Sequence, residues 1–248
     1  EHMSDYLKDK SIPFLTIQGD DLDALNSDME KIRDDARLSD NTIHLYYIIR
    51  YDGIGIVRKN YYEIKKCFDI AKKIERIIIN LKNEKSYNLK GKNIEIKLDS
   101  ADVNNCSLTV HDDDESWVEK NFKSLSSRLD KFSNKNSLVH SSMTTLVIQL
   151  LGVLSGLFLS LIFAKLLVPW VQIPYSFLIL FIGIFLVFSN LWTYILGNLN
   201  IIRVKIWPFV CFNKKPLGIV WQAIIGLIVT SIVISLGSWS LNILKNAG

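Results

Sequence analysis

Acidic side chains are missing from a long part of this 248-residue chain: all 25 Asp and Glu lie at or before Asp130, and none follows it. A stretch without carboxylates has no proton relay, cation ring or intramembrane counter-ion pair of the kind that pumps and transporters carry. Secondary transport is therefore not expected. Cysteine is scarce as well. Cys67, Cys106 and Cys211 are odd in number, far apart and outside any CxxC or Cys/His spacing, which argues against a disulfide framework or a local zinc motif. They are expected to be reduced packing residues. Ser4 to Arg37 lacks a continuous apolar core, so no secretory signal is expected. Residues 1–3, with Glu1 and His2 before Met3, read as a cloning remnant.

What is present divides into two materials. Residues 1–142 hold 25 acids against 23 Lys and Arg, whereas residues 143–248 hold only Lys165, Arg203, Lys205, Lys214, Lys215 and Lys245 as charged side chains. A mean hydropathy of +0.20 over that split excludes a single soluble globule, a disordered chain and a collagen-like fibre. The expected organisation is a cytoplasmic α+β domain over residues 4–135, a linker over 136–142 and an α-helical transmembrane bundle over 143–248.

Three apolar stretches, near 143–168, 175–198 and 217–244, approach or exceed the roughly 20 residues that a helix needs to cross a bilayer. Pro169 and Pro174 break the chain between the first two, beside Trp170 and Tyr175, residues suited to a water-lipid interface. From Asn198 to Pro216, Arg203, Lys205, Lys214 and Lys215 mix with Ile206, Trp207, Phe209 and Phe212, which predicts a segment lying in the headgroup layer. Lys120, Lys123, Arg128, Lys131 and Lys135 precede the first stretch, and four more basic residues follow the second. This asymmetry puts the soluble domain in the cytoplasm, with membrane lipid as the first partner of the chain. The third stretch either crosses or stays re-entrant or amphipathic.

Gly152, Gly156, Ser160 and Ala164 recur every fourth residue on one face of the first stretch. Small residues let helix backbones approach closely, so this face is a helix-helix packing seam, either between copies or within one chain. Gln149, Asn190 and Gln222 either bond across helices or sit at the interface.

In the soluble half, residues 20–38 have a helical apolar spacing through Leu22, Leu25, Met29, Ile32 and Ala36. Residues 43–51 and 54–58 flank Asp52-Gly53, a dipeptide suited to a two-residue hairpin turn. Residues 60–81 read as one helix opened by Asn60. Ile94–Leu98 and Cys106–Val110 alternate as strands, and Glu115–Phe132 closes the domain as a helix with Asp113 or Asp114 before it. The predicted order is α-ββ-α-ββ-α, an antiparallel four-stranded sheet with helices. The stripe Val118, Phe122, Leu125, Leu129 and Phe132 either packs on the sheet or forms a stalk.

Candidate chemistry is sparse. His111-Asp112-Asp113-Asp114-Glu115 could ligate a divalent ion, yet it lacks a glycine-bounded calcium loop and HExxH; helix capping explains it better. Gly53-Ile54-Gly55 lacks the Lys-Ser/Thr of a phosphate loop, and no Ser or Cys has a nucleophile motif around it. No catalytic residue, metal or cofactor is expected. From Arg58 to Lys97 there are 12 basic and 5 acidic residues. Lys65, Lys66, Lys72, Lys73 and Arg76 on one helix face are either solvated or contact a protein, anionic lipid or nucleic acid. Tyr46, Tyr47, Tyr51, Tyr61 and Tyr62 lie nearby without an RNA-recognition motif, so direct nucleic-acid binding is not the expectation.

A compact domain, a helix beginning Glu115-Ser116-Trp117-Val118 and a C-terminal group of spans including Ile206-Trp207-Pro208-Phe209 resemble, in the order of their parts, small membrane effectors of bacterial antiphage systems. Those effectors accompany retron reverse transcriptases, short Argonautes or cyclic-oligonucleotide synthases. The resemblance implies a sensor domain controlled through a cytosolic protein or ribonucleoprotein, and spans that rearrange to breach the inner membrane. It transfers no individual residue. The leading expectation is a homo-oligomeric effector that permeabilises or depolarises the membrane. A membrane-anchored adaptor for a cytosolic partner is the alternative, and an enzyme using His111 and its acidic neighbours is a third class.

Overall fold

A computed structural model describes residues 6–38, 42–83, 91–171 and 173–212. In chain order its elements are β1 (Tyr6–Ser11), β2 (Leu15–Ile17), α1 (Gly19–Arg37), β3 (Ile43–Tyr51), β4 (Ile54–Arg58), α2 (Tyr61–Ile70), β5 (Ile74–Asn83), β6 (Asn93–Asp99), β7 (Ser107–Asp112), α3 (Glu115–Asp130), α4 (Asn136–Val139), α5 (Ser142–Leu167), α6 (Ser176–Ile206) and β8 (Val210–Phe212). The chain divides into two units. One comprises residues up to Val139 together with the segment from Arg203, and the other is built on α5 and most of α6.

The first unit is built on an antiparallel sheet of six strands among the described residues, in the order β1-β7-β6-β5-β3-β4. Alternation places Ile43, Leu45, Tyr47 and Ile49 of β3 on the same buried face as Ile77, Ile79 and Leu81 of β5. Ile94, Ile96 and Leu98 of β6 continue that face. Leu22, Leu25 and Met29 of α1, Ile64 and Phe68 of α2, and Val118, Leu125 and Leu129 of α3 close the same core. The α3 stripe is thus core packing rather than a stalk.

Polar ties fix the helices above the sheet. Arg128 of α3 donates from Nε to Asp28 of α1 at 2.7 Å, and Lys65 of α2 meets Asp23 of α1 at 2.8 Å. The buried Tyr47 hydroxyl donates to Asn26, and Tyr61 donates to Asp23. Burial pushes both tyrosines up, and acids add to it: the charge of Glu30 at Tyr47 and the bonded Asp23 at Tyr61. Burial also opposes ionisation of Asp23, but the Lys65 and Tyr61 donors outweigh it and hold this carboxyl below its usual range.

The hairpin forms as its residues require. Asp52 at φ 49° and Gly53 at φ 79° give the two positive angles of a type I′ turn. The expected four-stranded sheet is corrected to six strands for two reasons. The first is β5, most of which lies in the span 60–81 expected as one helix. Asn60 does cap α2, its side chain accepting from Tyr62 N–H at 2.9 Å, but the helix ends at Ile70. The Asp52 carboxylate then accepts the backbone N–H groups of Lys72 and Lys73 at 2.9 and 2.8 Å, holding the chain out of the helix. Beyond that turn the β-branched run Ile77-Ile78-Ile79 favours a strand. The second reason is β1, whose six residues pair along β7.

In the second unit, α5 and α6 are two helices long and apolar enough to cross a membrane. At about 1.5 Å per residue they extend roughly 39 and 46 Å. The expected third stretch, 217–244, lies outside the described residues, as do Gln222, Lys214 and Lys215.

Candidate functional site

The segment that follows α6 is built into the first unit. Trp207 N–H donates to Arg203 O at 2.8 Å, and the chain then leaves the helix at Pro208; proline has no N–H with which to continue the helix ladder. Phe209 N–H donates to Ser100 O at 3.0 Å, and Phe209 O accepts from Phe14 N–H at 2.6 Å and Leu15 N–H at 3.2 Å. Val210, Cys211 and Phe212 then pair in parallel with Leu15, Thr16 and Ile17. Val210 is 1% exposed and belongs to the same core as Leu15 and Ile17.

The residues just before α5 hold the same joint. Asn136 donates from Nδ2 to Pro208 O at 2.9 Å and to Cys211 Sγ at 3.4 Å. Asn134 donates from Nδ2 to Thr16 Oγ1 at 3.2 Å, and its backbone N–H bonds Phe14 O at 2.7 Å. Phe14 has φ 66°, a conformation that costs a non-glycine residue about 1–3 kcal/mol. In that pose its two backbone groups reach both the segment before α5 and the segment after α6. Burial pushes the Cys211 thiol up, against the lowering effect of its Asn136 and Thr16 neighbours.

Ser100 is presented by a turn with its own polar support. Asp99 Oδ1 accepts Ala101 N–H at 2.8 Å and Asp102 N–H at 2.9 Å, while Oδ2 accepts from Arg76 Nε at 2.6 Å. Cys106 donates from Sγ to Asp99 O at 3.3 Å, and its burial pushes the thiol up to about 11.

The basic cluster predicted on one helix face is spread over several elements. Lys65 and exposed Lys66 lie on α2, exposed Lys72 and Lys73 lie in the turn before β5, and Arg76 lies on β5. Lys65 engages Asp23 and Gly19 O, and Arg76 engages Asp99. The single-face reading is corrected because α2 stops before Lys72.

The segment expected in the headgroup layer is likewise divided. Arg203 and Lys205 complete the last turn of α6, Trp207 follows it, and β8 enters the core of the first unit. The acidic run His111 to Glu115 is also distributed. His111 and Asp112 end β7, Asp114 accepts from Ser116 and Trp117 N–H as the α3 N-cap, and Glu115 opens the helix.

Within the second unit, Gly152, Gly156, Ser160 and Ala164 are the buried small residues of α5. A Cβ on Gly152 would come within 1.8 Å of Trp192, and one on Gly156 would lie 3.8 Å from Phe185 and Phe188. Within the single chain this face packs against α6. Gln149, Ser189 and Thr193 line the same cleft of about 320 Å³. Asn190 donates to Leu186 O of its own helix at 3.0 Å.

β1, β2, β5 and β8 were not expected from the sequence. A signal for β5 was available in the period-two spacing of Ile77, Ile79 and Leu81, and one for β8 in the short apolar run after Pro208. No family model, curated protein or solved structure matches this chain.

Proposed function

We propose that this protein is a bacterial inner-membrane effector in which a cytoplasmic α+β unit controls an apolar helical hairpin, and that triggering this unit permeabilises or depolarises the membrane. The observation that carries this reading is the joint at Phe14. Residues before α5 and residues after α6 both bond to it, so a rearrangement of the unit reaches both helices together. The reading gains support from the acid-free α5 and α6 and from their extensive exposed apolar surface, which lipid or further copies would cover. Holding both ends in one soluble unit is also what a pair that crosses and returns requires. Homo-oligomerisation, a cytosolic protein or ribonucleoprotein as trigger, and a role in growth arrest during phage infection belong to the same proposal.

The test is the membrane potential of cells expressing the full chain, read with a voltage-sensitive dye beside a form lacking residues 142–206. Depolarisation by the full chain alone is expected. An unchanged potential at full expression, both at rest and during phage infection, overturns the proposal and leaves a membrane-anchored adaptor.

A further inference from the structure

The two edges of the six-stranded sheet differ in a way that bears on assembly. β1 carries Lys8, Asp9 and Lys10, and Lys8 and Lys10 reach Glu119 and Asp130 of α3. Such charge on an edge discourages pairing with another chain. The other edge, β4, reads Ile-Gly-Ile-Val-Arg, with Ile54 55% and Val57 57% exposed. It has neither Lys nor Pro along its length, and it is not covered by a described helix.

The register settles which backbone groups point outward. Tyr51 and Ile54 close the two-residue turn, so they form a hydrogen-bonded pair, as do Ile49 with Ile56 and Tyr47 with Arg58. The intervening residues Gly55 and Val57 therefore turn their N–H and C=O away from β3, toward the edge. A Cβ on Gly55 would meet nothing within 4 Å, so the sheet face at Gly55 is open beside that edge.

We infer that β4 is the site at which two copies of this chain join, antiparallel, into a continuous twelve-stranded sheet. With Ile56 opposite Ile56 of the second copy, Gly55 and Val57 of one copy exchange hydrogen bonds with Val57 and Gly55 of the other. Ile56 then forms the non-hydrogen-bonded pair on the two-fold axis, as the alternation of an antiparallel ladder requires. Charge selects the same direction. Antiparallel pairing brings Lys59 and Arg58, the latter ion-paired to Glu63 of its own chain, toward the turn holding Asp52 of the other copy, whereas parallel pairing would set like charge against like. The arrangement is isologous and closes at two.

Five residues per strand bury less area than a free-standing complex needs. The inference therefore rests on the membrane reading proposed above, because anchoring both copies in one bilayer raises their effective concentration.

The test is disulfide trapping in membranes containing the full chain, with Cys67, Cys106 and Cys211 replaced and Ile56→Cys introduced. A non-hydrogen-bonded antiparallel pair brings Cβ atoms to about 4.5–5.5 Å, close to disulfide range. A band of twice the chain mass is expected for Ile56→Cys but not for Asp9→Cys on β1. Adding Val57→Pro removes one outward N–H without touching the ladder to β3, and should cut trapping at least tenfold. If the triple replacement does not fold, the native full chain and its Val57→Pro form are crosslinked in the membrane with an amine-reactive reagent, and the band of twice the chain mass is expected only in the former.

Monomeric Ile56→Cys, equal trapping at Asp9→Cys, or trapping to a different protein would each overturn the inference. Its failure is separable from failure of the proposed function. Depolarisation that persists without trapping removes the β4 dimer alone, and trapping in a membrane of unchanged potential removes the effector reading alone.

Discussion

Phe14 and Phe209 are joined twice. The Phe14 N–H donates to Phe209 O at 2.6 Å, and their ring centroids stand 6.0 Å apart. Because Phe14 O also accepts from Asn134 N–H at 2.7 Å, one residue ties the entry to α5 to the exit from α6. The first unit is therefore closed by chain that lies on both sides of the apolar pair, and the helices form an insertion within it.

Val210 offers the most direct way to open this joint. It is 1% exposed, and a carboxylate there would be buried without a partner. Val210→Asp should lower the local opening energy by more than about 3 kcal/mol. Hydrogen exchange on the purified full chain is the check: protection should be lost at Val210–Phe212 and Leu15–Ile17, with β3 and β5 still protected. Equal loss over the whole sheet would mean that β8 is integral to the fold rather than a separable clasp.

Asp99 acts on the same joint from beneath. Its carboxylate fastens Arg76 and two turn amides, and the next residue, Ser100, supplies the carbonyl that receives Phe209 N–H. Asp99→Ala leaves those donors without their acceptor, at a cost of about 2–4 kcal/mol. A lowered thermal midpoint together with faster exchange at Phe209 is expected, and Asp99→Asn should recover part of both. A Phe209 amide that exchanges as in the parent protein would separate the turn from the clasp.

Where the sequence was legible, a short-range physical rule decided the structure. Asp52-Gly53 demands a tight turn, Asp114 caps α3, and the spacing of Leu22, Leu25 and Met29 admits only one helix face. Long-range partners decided the rest. Ile74 to Leu81 satisfies a helical spacing and a strand alternation at once, and the Asp52 carboxylate, 20 residues away from Lys72, chooses between them. The apolar run Val210-Cys211-Phe212 looks the same whether it meets lipid or β2. Its true neighbour, Leu15–Ile17, lies almost the whole described chain away. For the candidate site, the small residues of α5 were visible as a packing face, but Trp192 as the group packed against Gly152 was not.

That contact makes the two glycines of the GxxxG unequal. Gly152→Ala forces a Cβ into the Trp192 ring, whereas Gly156→Ala places its Cβ at ordinary van der Waals distance from Phe185 and Phe188. Overpacking at Gly152 should cost about 1–3 kcal/mol. Gly156→Ala should be neutral or stabilising by up to about 1 kcal/mol, since alanine is the better helix former. Thermal unfolding of the full chain in detergent distinguishes them. The opposite ranking would mean that the seam packs against something other than α6.

Asp112 gives the unit a pH dependence of definite sign. It is 5% exposed at the end of β7. Burial pushes its carboxyl above the usual range, outweighing the Asp113 backbone N–H and the charge of Lys92, which pull it down. A raised folded-state pKa means that the folded form holds its proton more tightly than the unfolded chain does. The resulting stabilisation is full below the unfolded value of about 3.9 and is lost as pH rises through the raised one. Asp112→Asn cannot ionise and keeps the neutral form throughout. The variant should therefore gain stability over the parent protein as pH rises from 3.5 toward 7, roughly the window in which an aspartate titrates, and the two should converge at the acid end. Thermal midpoints of both full chains across that window measure the difference directly, and a gap that widened toward acid instead would show that the charged form of Asp112 is the one the fold stabilises.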